Sequence, residues 1–141
     1  MRYSSIICFA ALAAIGAMNN LVAADVKVIA NPGVGASSVS AEELKSVFLI
    51  SKTSLSDGSH VEPVLEKGGT AHEAFVKEYL GKNDSALQTY YRSLVFTGKA
   101  SMPKTVAADA DVVAYVAKTK GAIGYVSAGA STAGVKTLDV K

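Results

Sequence analysis

The sequence predicts an α/β fold, in which a small mixed sheet is flanked by about four helices in a single three-layer domain. Short β-branched segments alternate along the chain with longer segments of helical apolar spacing. Glycine and proline residues separate these segments. The chain has 141 residues, and the 117 that follow a predicted signal peptide are enough for one domain and too few for two.

Residues 1–24 have the pattern of a secretory signal peptide. Arg2 supplies the positive charge, residues 6–18 form an apolar run, and the small residues at 22–24 form a cleavage site. An apolar run of this length is shorter than the roughly 20 residues that a membrane-spanning helix needs. We therefore expect a single domain at residues 25–141, periplasmic or secreted, without a stable membrane anchor.

Charge and cysteine content exclude several function classes. Loss of Arg2 leaves 13 basic and 12 acidic residues, so the domain lacks the broad basic surface that nucleic-acid binding needs. Cys8 lies in the predicted signal peptide, and its removal leaves no thiol. His60 and His72 show no metal-ligand spacing, and the serines lack a nucleophile-elbow pattern. We expect no metal, no cofactor and no enzymatic activity.

Three elements are predicted in the first part of the domain. Residues 26–30 are rich in β-branched side chains and predict a strand. Ser40 and Glu43 have the spacing of a capping box, which predicts a helix beginning there. Its apolar face consists of Leu44, Val47 and Phe48. Residues 61–65 predict a second strand, in which Pro63 indicates an edge position or a local break in pairing.

The remaining elements are three helices followed by two strands. The capping-box spacing recurs in two pairs: Thr70 with Glu73, and Ser85 with Gln88. The helices that these pairs begin should end at Gly81 and Gly98. Residues 109–118 predict another helix, with acidic residues at its beginning and lysine at its end. Residues 122–127 and 135–140 predict the last two strands.

The five tyrosines of the domain allow two interpretations, an aromatic ligand site or part of the core. They are Tyr79, Tyr90, Tyr91, Tyr115 and Tyr125. Most occupy apolar positions of predicted helices or strands. This placement favours core residues with their hydroxyls at the rim.

Several stretches of the sequence carry a family resemblance. They are residues 94–99 (LVFTGK) and 121–126 (GAIGYV), with further matches at 43–49, 56–59 and 61–65. In order and spacing they resemble the second lobe of the phosphate-binding proteins that serve bacterial ABC importers. The resemblance implies a type II periplasmic-binding-protein lobe. It also implies an exported, non-enzymatic solute-binding-like domain that recognises phosphate or a similar small oxyanion.

The resemblance places the anion site at a junction between a strand and a helix. Such proteins hold oxyanions with backbone amides at helix N-termini. The matching residues here are Lys67, Gly68, Gly69, Thr70 and Ala71. The glycines would let the backbone approach an anion, the amides of Thr70 and Ala71 would donate, and Lys67 would add positive charge. A plain turn with Thr70 as the N-cap fits the same residues, so both interpretations stay open.

This junction departs from the pattern of the family. Phosphate-binding relatives carry an arginine a few residues before a Ser-Gly-Thr run, whereas residues 64–70 read VLEKGGT here. Lys67 lacks the bidentate geometry of arginine, and Glu66 adds a negative charge that an anion would have to tolerate. The resemblance therefore implies weaker and less selective anion binding.

Three basic residues, Arg92, Lys99 and Lys104, lie in residues 85–108, which contain no aspartate or glutamate. They predict either a basic face for an anion or an acidic partner, or a solvated helix face and loop. We include Arg92 among the candidate anion-binding residues on the first interpretation.

A single lobe would leave an anion half exposed to water, because two-lobed binding proteins close around their ligand. A homodimer, or a partner protein in place of the other lobe, would restore a closed cleft. An alternative function is a periplasmic protein-interaction module that keeps the fold and binds no small ligand. The sequence leaves these possibilities open.

Overall fold

The computed structural model describes residues 26–141, and its elements follow the predicted order with two additional strands. The strands are β1 (Val26–Ala30), β2 (Ser38–Val39), β3 (Glu62–Glu66), β4 (Lys104–Val106), β5 (Ala122–Ser127) and β6 (Lys136–Val140). The helices are α1 (Ala41–Phe48), α2 (Thr70–Phe75), α3 (Asp84–Phe96) and α4 (Asp109–Lys118), and a π-helical turn at Val76–Leu80 continues α2. The predicted signal peptide lies outside the described residues. Within them, no helix has the length and apolar character needed to cross a bilayer.

The six strands form one mixed sheet in the order β2-β6-β1-β5-β3-β4. β1 lies near the centre and pairs antiparallel with both β5 and β6. β3 lies between β5 and β4 and runs parallel to both. The carboxyl ends of β3, β4 and β5 therefore meet at one end of the sheet. α2 and α4 begin at this same end, because they follow β3 and β4 in the chain.

The sheet separates two apolar cores, which gives the three layers that the sequence predicts. The larger core lies between the sheet and helices α1, α2 and α3. The smaller core lies under α4 and consists of Ile29, Val64, Val112, Val116, Ala122 and Val126. Successive residues of β1 alternate between the two, with Val28 and Ala30 in the larger core and Ile29 in the smaller one. The predicted α/β fold with a small mixed sheet is confirmed.

The beginning of α1 confirms the first predicted N-cap. Ser40 Oγ accepts a hydrogen bond from the Glu43 amide at 3.1 Å. The Glu43 carboxylate does not close the box, because it accepts instead from the Ser56 hydroxyl at 2.7 Å. This contact ties the loop before β3 to the first turn of α1.

The two later capping boxes are wrong as predicted. Gly69, whose φ is +99°, precedes α2, so Thr70 is the first residue of this helix and not its N-cap. Among the described residues, no side chain caps the helix. Asn83 caps α3, since its Oδ1 accepts from the Ala86 amide at 2.7 Å, and this helix begins two residues earlier than Ser85 predicts. Asparagine is as favourable an N-cap as serine, and its extended backbone at this position decides between them.

The sequence did not predict β2 and β4 because strands of two and three residues show no alternating pattern. Pro63 agrees with the predicted break in pairing. It pairs with Ile123 on the β5 side, while the ladder with β4 begins one residue later at Val64. Proline, which has no amide to donate, therefore lies where β3 has one neighbour.

At Gly121, the segment before β5 packs closely against the backbone of His60 before β3, and a substitution can test this packing. The φ of Gly121 is +81°, and a Cβ atom at this position would lie 2.8 Å from the carbonyl oxygen of His60. We expect Gly121→Ala to lower the free energy of unfolding by about 2 kcal/mol or more, measured by denaturant unfolding. Gly129→Ala is the control, because a Cβ atom there meets nothing within 4 Å. Equal losses in the two variants would contradict the proposed constraint.

Candidate functional site

The predicted anion-binding residues lie in an exposed junction between β3 and α2. Lys67, Gly68, Gly69 and Thr70 are exposed, and Ala71 is buried behind them. The Lys67 amide donates to the carbonyl of Val106 at 2.9 Å, which holds the start of the loop against β4. Gly69 turns the chain into the helix with φ +99° and ψ 173°, a conformation that glycine adopts far more readily than other residues.

The amides of the exposed residues 68–70 are available to an acceptor, whereas Ala71 and His72 are buried. Within residues 26–141, no hydrogen-bond acceptor is found for the amides of residues 68–72. The first amide of the helix that is bonded belongs to Glu73, which donates to the Gly69 carbonyl at 3.0 Å. Helix geometry leaves the first amides without internal partners, and here no side chain takes their place. The junction therefore has the donors that an oxyanion site requires.

Arg92, the remaining predicted site residue, lies exposed on α3. In the described part of the chain, no hydrogen bond or ion pair connects it to the junction. Its participation in anion binding stays a prediction. The structure thus brings together residues 67–71, which are consecutive in sequence, and gives no contact that adds Arg92 to them.

A buried hydrogen-bond chain anchors the junction from beneath. The Tyr125 hydroxyl accepts from the Glu66 amide at 3.0 Å and is bonded to His72 Nδ1. His72 Nε2 is in turn 2.6 Å from Asp84 Oδ1. One proton assignment satisfies every group: Tyr125 donates to Nδ1, and Nε2–H donates to Asp84. This chain of hydrogen bonds joins β3, β5, α2 and the first turn of α3.

Tyr125 corrects the predicted position of the tyrosine hydroxyls. The side chain is completely buried on β5, and so is its hydrogen-bond partner His72. Burial raises the pKa of Tyr125 well above that of a free tyrosine, so the phenol keeps its proton. Tyr91 is also buried and donates to the carbonyl of Phe48. These two hydroxyls lie inside the core and not at its rim.

Glu66, the last residue of β3, is a buried acid beside Asp109. It is only 4% exposed, and within the described residues its Oε1 has no hydrogen-bond partner. Burial, together with the neighbouring Asp109, raises the pKa of Glu66 to about 8. Hydrogen bonding with Glu66, and more weakly with Ser127, lowers the pKa of Asp109. The pair therefore holds one proton and carries a single negative charge at neutral pH.

Few features of the sequence predict these buried groups. Glu66 is the last residue of the apolar strand β3. Its position directly after buried apolar residues is the sequence feature that could have identified it as a buried acid. No local pattern links His72 to Tyr125, because 53 residues separate them.

No protein-family model matches the sequence of the chain, and no curated protein matches it either. Solved structures do match. An ABC-type phosphate transport receptor from Vibrio cholerae aligns with a TM-score of 0.56 and 14% identity over 82% of this chain and 46% of the receptor.

Two further solved structures give the same result. A putative phosphate ABC transporter substrate-binding protein from Clostridium perfringens, with bound phosphate, aligns with a TM-score of 0.61 and 13% identity, covering 82% of this chain and 44% of that one. PstS from Borrelia burgdorferi aligns with a TM-score of 0.61 and 13% identity, covering 83% and 47%. The chain therefore spans less than half the length of these proteins. It has the fold of one part of them, as the predicted single lobe requires.

Removal of the Tyr125 hydroxyl tests the buried hydrogen-bond chain. Tyr125→Phe leaves the Glu66 amide and His72 Nδ1 without their partner, and we expect it to lower the free energy of unfolding by about 2 kcal/mol. Tyr79→Phe is the matched control, because within the described residues no hydrogen bond is found for the Tyr79 hydroxyl. Denaturant unfolding at neutral pH measures both. An equal effect of the two substitutions would contradict a stabilising role of the buried hydrogen-bond chain.

The raised pKa of Glu66 predicts a pH dependence of stability. Between the usual pKa of 4.5 and about 8, the folded chain holds a proton that the unfolded chain has lost. The free energy of unfolding therefore falls as pH rises through this window, by at most about 1.4 kcal/mol per pH unit. Glu66→Gln removes this dependence, so its stability relative to the unsubstituted protein should increase across the window.

Glu62→Gln is the control for this pH experiment, since Glu62 lies on the same strand and is exposed. Thermal unfolding at several pH values between about 5 and 9 measures the difference. Parallel pH profiles for the unsubstituted protein and Glu66→Gln would show that Glu66 titrates normally.

Proposed function

We propose that this chain is an exported, non-enzymatic domain that binds phosphate or a similar small oxyanion at the N-terminus of α2. The observation that carries the proposal is the run of amides at the exposed residues 68–70, which have no acceptor among residues 26–141. The fold supports it, because the solved structures that share this fold include phosphate-transport receptors, one of them with phosphate bound.

The donors of the junction suit a small tetrahedral anion. Backbone amides at a helix start point toward the ligand, and the helix dipole favours negative charge there. Gly68 and Gly69 carry no side chain that would keep an anion away from the backbone, since a Cβ atom at either position would meet open space. Lys67 is exposed at the start of the loop and adds positive charge worth about 1 kcal/mol or less.

The Glu66–Asp109 pair opposes this attraction and limits the affinity. The pair carries a single negative charge at neutral pH because Glu66 keeps its proton. Loss of that proton would place a second negative charge at the end of β3, directly before Lys67. We expect an affinity on the order of 1 mM, which corresponds to about 4 kcal/mol of binding free energy.

The environment of the protein is part of the proposal. The signal-peptide pattern supports a periplasmic or secreted domain, and the shared fold supports a link to an ABC importer. A homodimer, or a partner protein that takes the place of the other lobe, would enclose the anion and raise the affinity. Light scattering with and without phosphate measures whether two copies pair.

Glycine substitutions at the junction test the anion site. Gly69→Ala introduces a side chain where φ is +99°, so the backbone has to rearrange and the amides turn away. Isothermal calorimetry with inorganic phosphate should then detect no binding. Gly58→Ala is the matched control, since Gly58 also has a left-handed φ of +87°, a Cβ atom there would meet no described atom within 4 Å, and it lies outside the junction. Its affinity should stay within about twofold of the unsubstituted protein.

Side-chain substitutions complete the same experiment. Lys67→Ala should weaken phosphate binding by about threefold, and added chloride should weaken it further through screening. Thr70→Ala should also lower the affinity, because it removes the hydroxyl donor of Thr70. Absence of both a binding heat and a thermal shift at millimolar phosphate would refute the proposal.

A further inference from the structure

The end of α3 exposes an apolar surface. The large apolar side chains that are exposed among residues 26–141 are Val95, Phe96 and Met102, and they lie within eight residues of one another in sequence. Phe96 is 94% exposed, so almost none of its ring is covered by the chain itself. Contiguous exposed apolar side chains mark interaction sites, and the proximity of these three in sequence favours such a patch.

A groove adjoins this surface. Met102 and Pro103 line a groove of about 460 Å³, and Ile50, Pro63 and Tyr115 line it from the other elements. Ile50 has a φ of +61°, which is a strained conformation for a β-branched residue. Strain of this kind persists where the surrounding structure imposes it, and it is concentrated at functional surfaces.

Positive charges surround the exposed apolar side chains. Arg92 lies four residues before Phe96 on α3, so the two side chains project from the same side of the helix. Lys99 follows in the turn after the helix. Lys104 lines the groove, with its ammonium group 5.4 Å from the centre of the Tyr115 ring. In the described part of the chain, none of these three cations forms a salt bridge.

This surface is distinct from the candidate anion site. Met102 precedes β4, whose residue Lys104 pairs with Val64, so it lies near the beginning of β3. The glycine junction follows Glu66 at the other end of that strand. Phosphate at the junction therefore does not account for the groove.

We propose that this surface, comprising Val95, Phe96, Met102, the adjoining groove and the three cations, docks an acidic protein segment that carries a large apolar anchor residue. The anchor would enter the groove beside Met102, and carboxylates of the segment would face Arg92, Lys99 and Lys104. The proposal is independent of the anion site.

The charges and the shape favour this occupant over two others. A second copy docked through the same surface would bring like charges together across the two-fold axis. A lipid surface fits a convex apolar face, whereas part of this surface is a groove of about 460 Å³.

A pair of synthetic peptides tests the proposal. One is a fluorescein-labelled peptide of about twelve residues in which glutamates surround one phenylalanine and two leucines, and the other replaces each glutamate with lysine. We expect fluorescence anisotropy to show that the protein binds the acidic peptide at least about tenfold more tightly, with an affinity that falls as salt is added.

Surface variants assign the binding to this surface. Phe96→Ser, and the double variant Arg92→Glu/Lys99→Glu, should each weaken binding of the acidic peptide by about tenfold. The charge-matched control is Lys45→Glu/Lys77→Glu, whose lysines are exposed on α1 and on the turn after α2. It should keep the affinity within about twofold. Circular dichroism checks that every variant is folded.

Four outcomes would overturn the proposal. Equal affinity for the two peptides, or binding that the surface variants leave unchanged, would refute an acidic partner at this surface. Binding to phosphatidylglycerol vesicles that depends on Phe96, without peptide binding, would assign the surface to a membrane. Self-association in sedimentation that Phe96→Ser abolishes would assign it to a second copy. Calorimetry with phosphate on the Phe96→Ser variant should give the same phosphate affinity as the unsubstituted protein, which distinguishes a failure of this proposal from a failure of the anion site.

Discussion

The buried hydroxyl of Tyr125 is the contact on which the candidate site depends. One oxygen atom accepts from the Glu66 amide and is bonded to His72, so the end of β3 and the first turn of α2 are fixed to β5 at a single point. The ring of the same tyrosine stacks on Phe75 with centroids 4.0 Å apart, which fixes the next turn of the helix. Loss of this contact would leave buried polar groups without partners, and such groups destabilise a folded chain strongly.

The glycine junction is consequently held at both ends. Glu66 precedes it and His72 follows it, and both are anchored to Tyr125. A loop held in this way loses little further freedom when a ligand binds, which favours affinity without additional contacts. The same anchoring places the Glu66 carboxyl in the interior beside Asp109, where burial makes it keep its proton. The arrangement that orders the donors therefore also sets the negative charge that opposes an anion.

The sequence predicted what depends on neighbouring residues and missed what depends on distant ones. α1, α4, β1 and β5 follow from apolar spacing and local caps, and residues 67–71 could be grouped as a site because they are consecutive. The predicted N-cap of α3 was wrong because Asn83 and Ser85 compete for that position, and that of α2 was wrong because Gly69, which has no side chain, occupies it. The anchors could not be predicted, since Tyr125 reaches His72 across 53 residues only through the pairing of β3 with β5.

The two ends of β3 have different chemistry. Polar donors and one shared proton lie at the carboxyl end, and an apolar groove with flanking cations lies at the other. A strand of this length separates the two surfaces by roughly 15 Å. β3 is paired with β5 over its first residues and with β4 over its last, so it cannot shift without breaking a ladder. In the two proposals, the oxyanion and the protein partner bind the domain at separate surfaces, so neither would block the other.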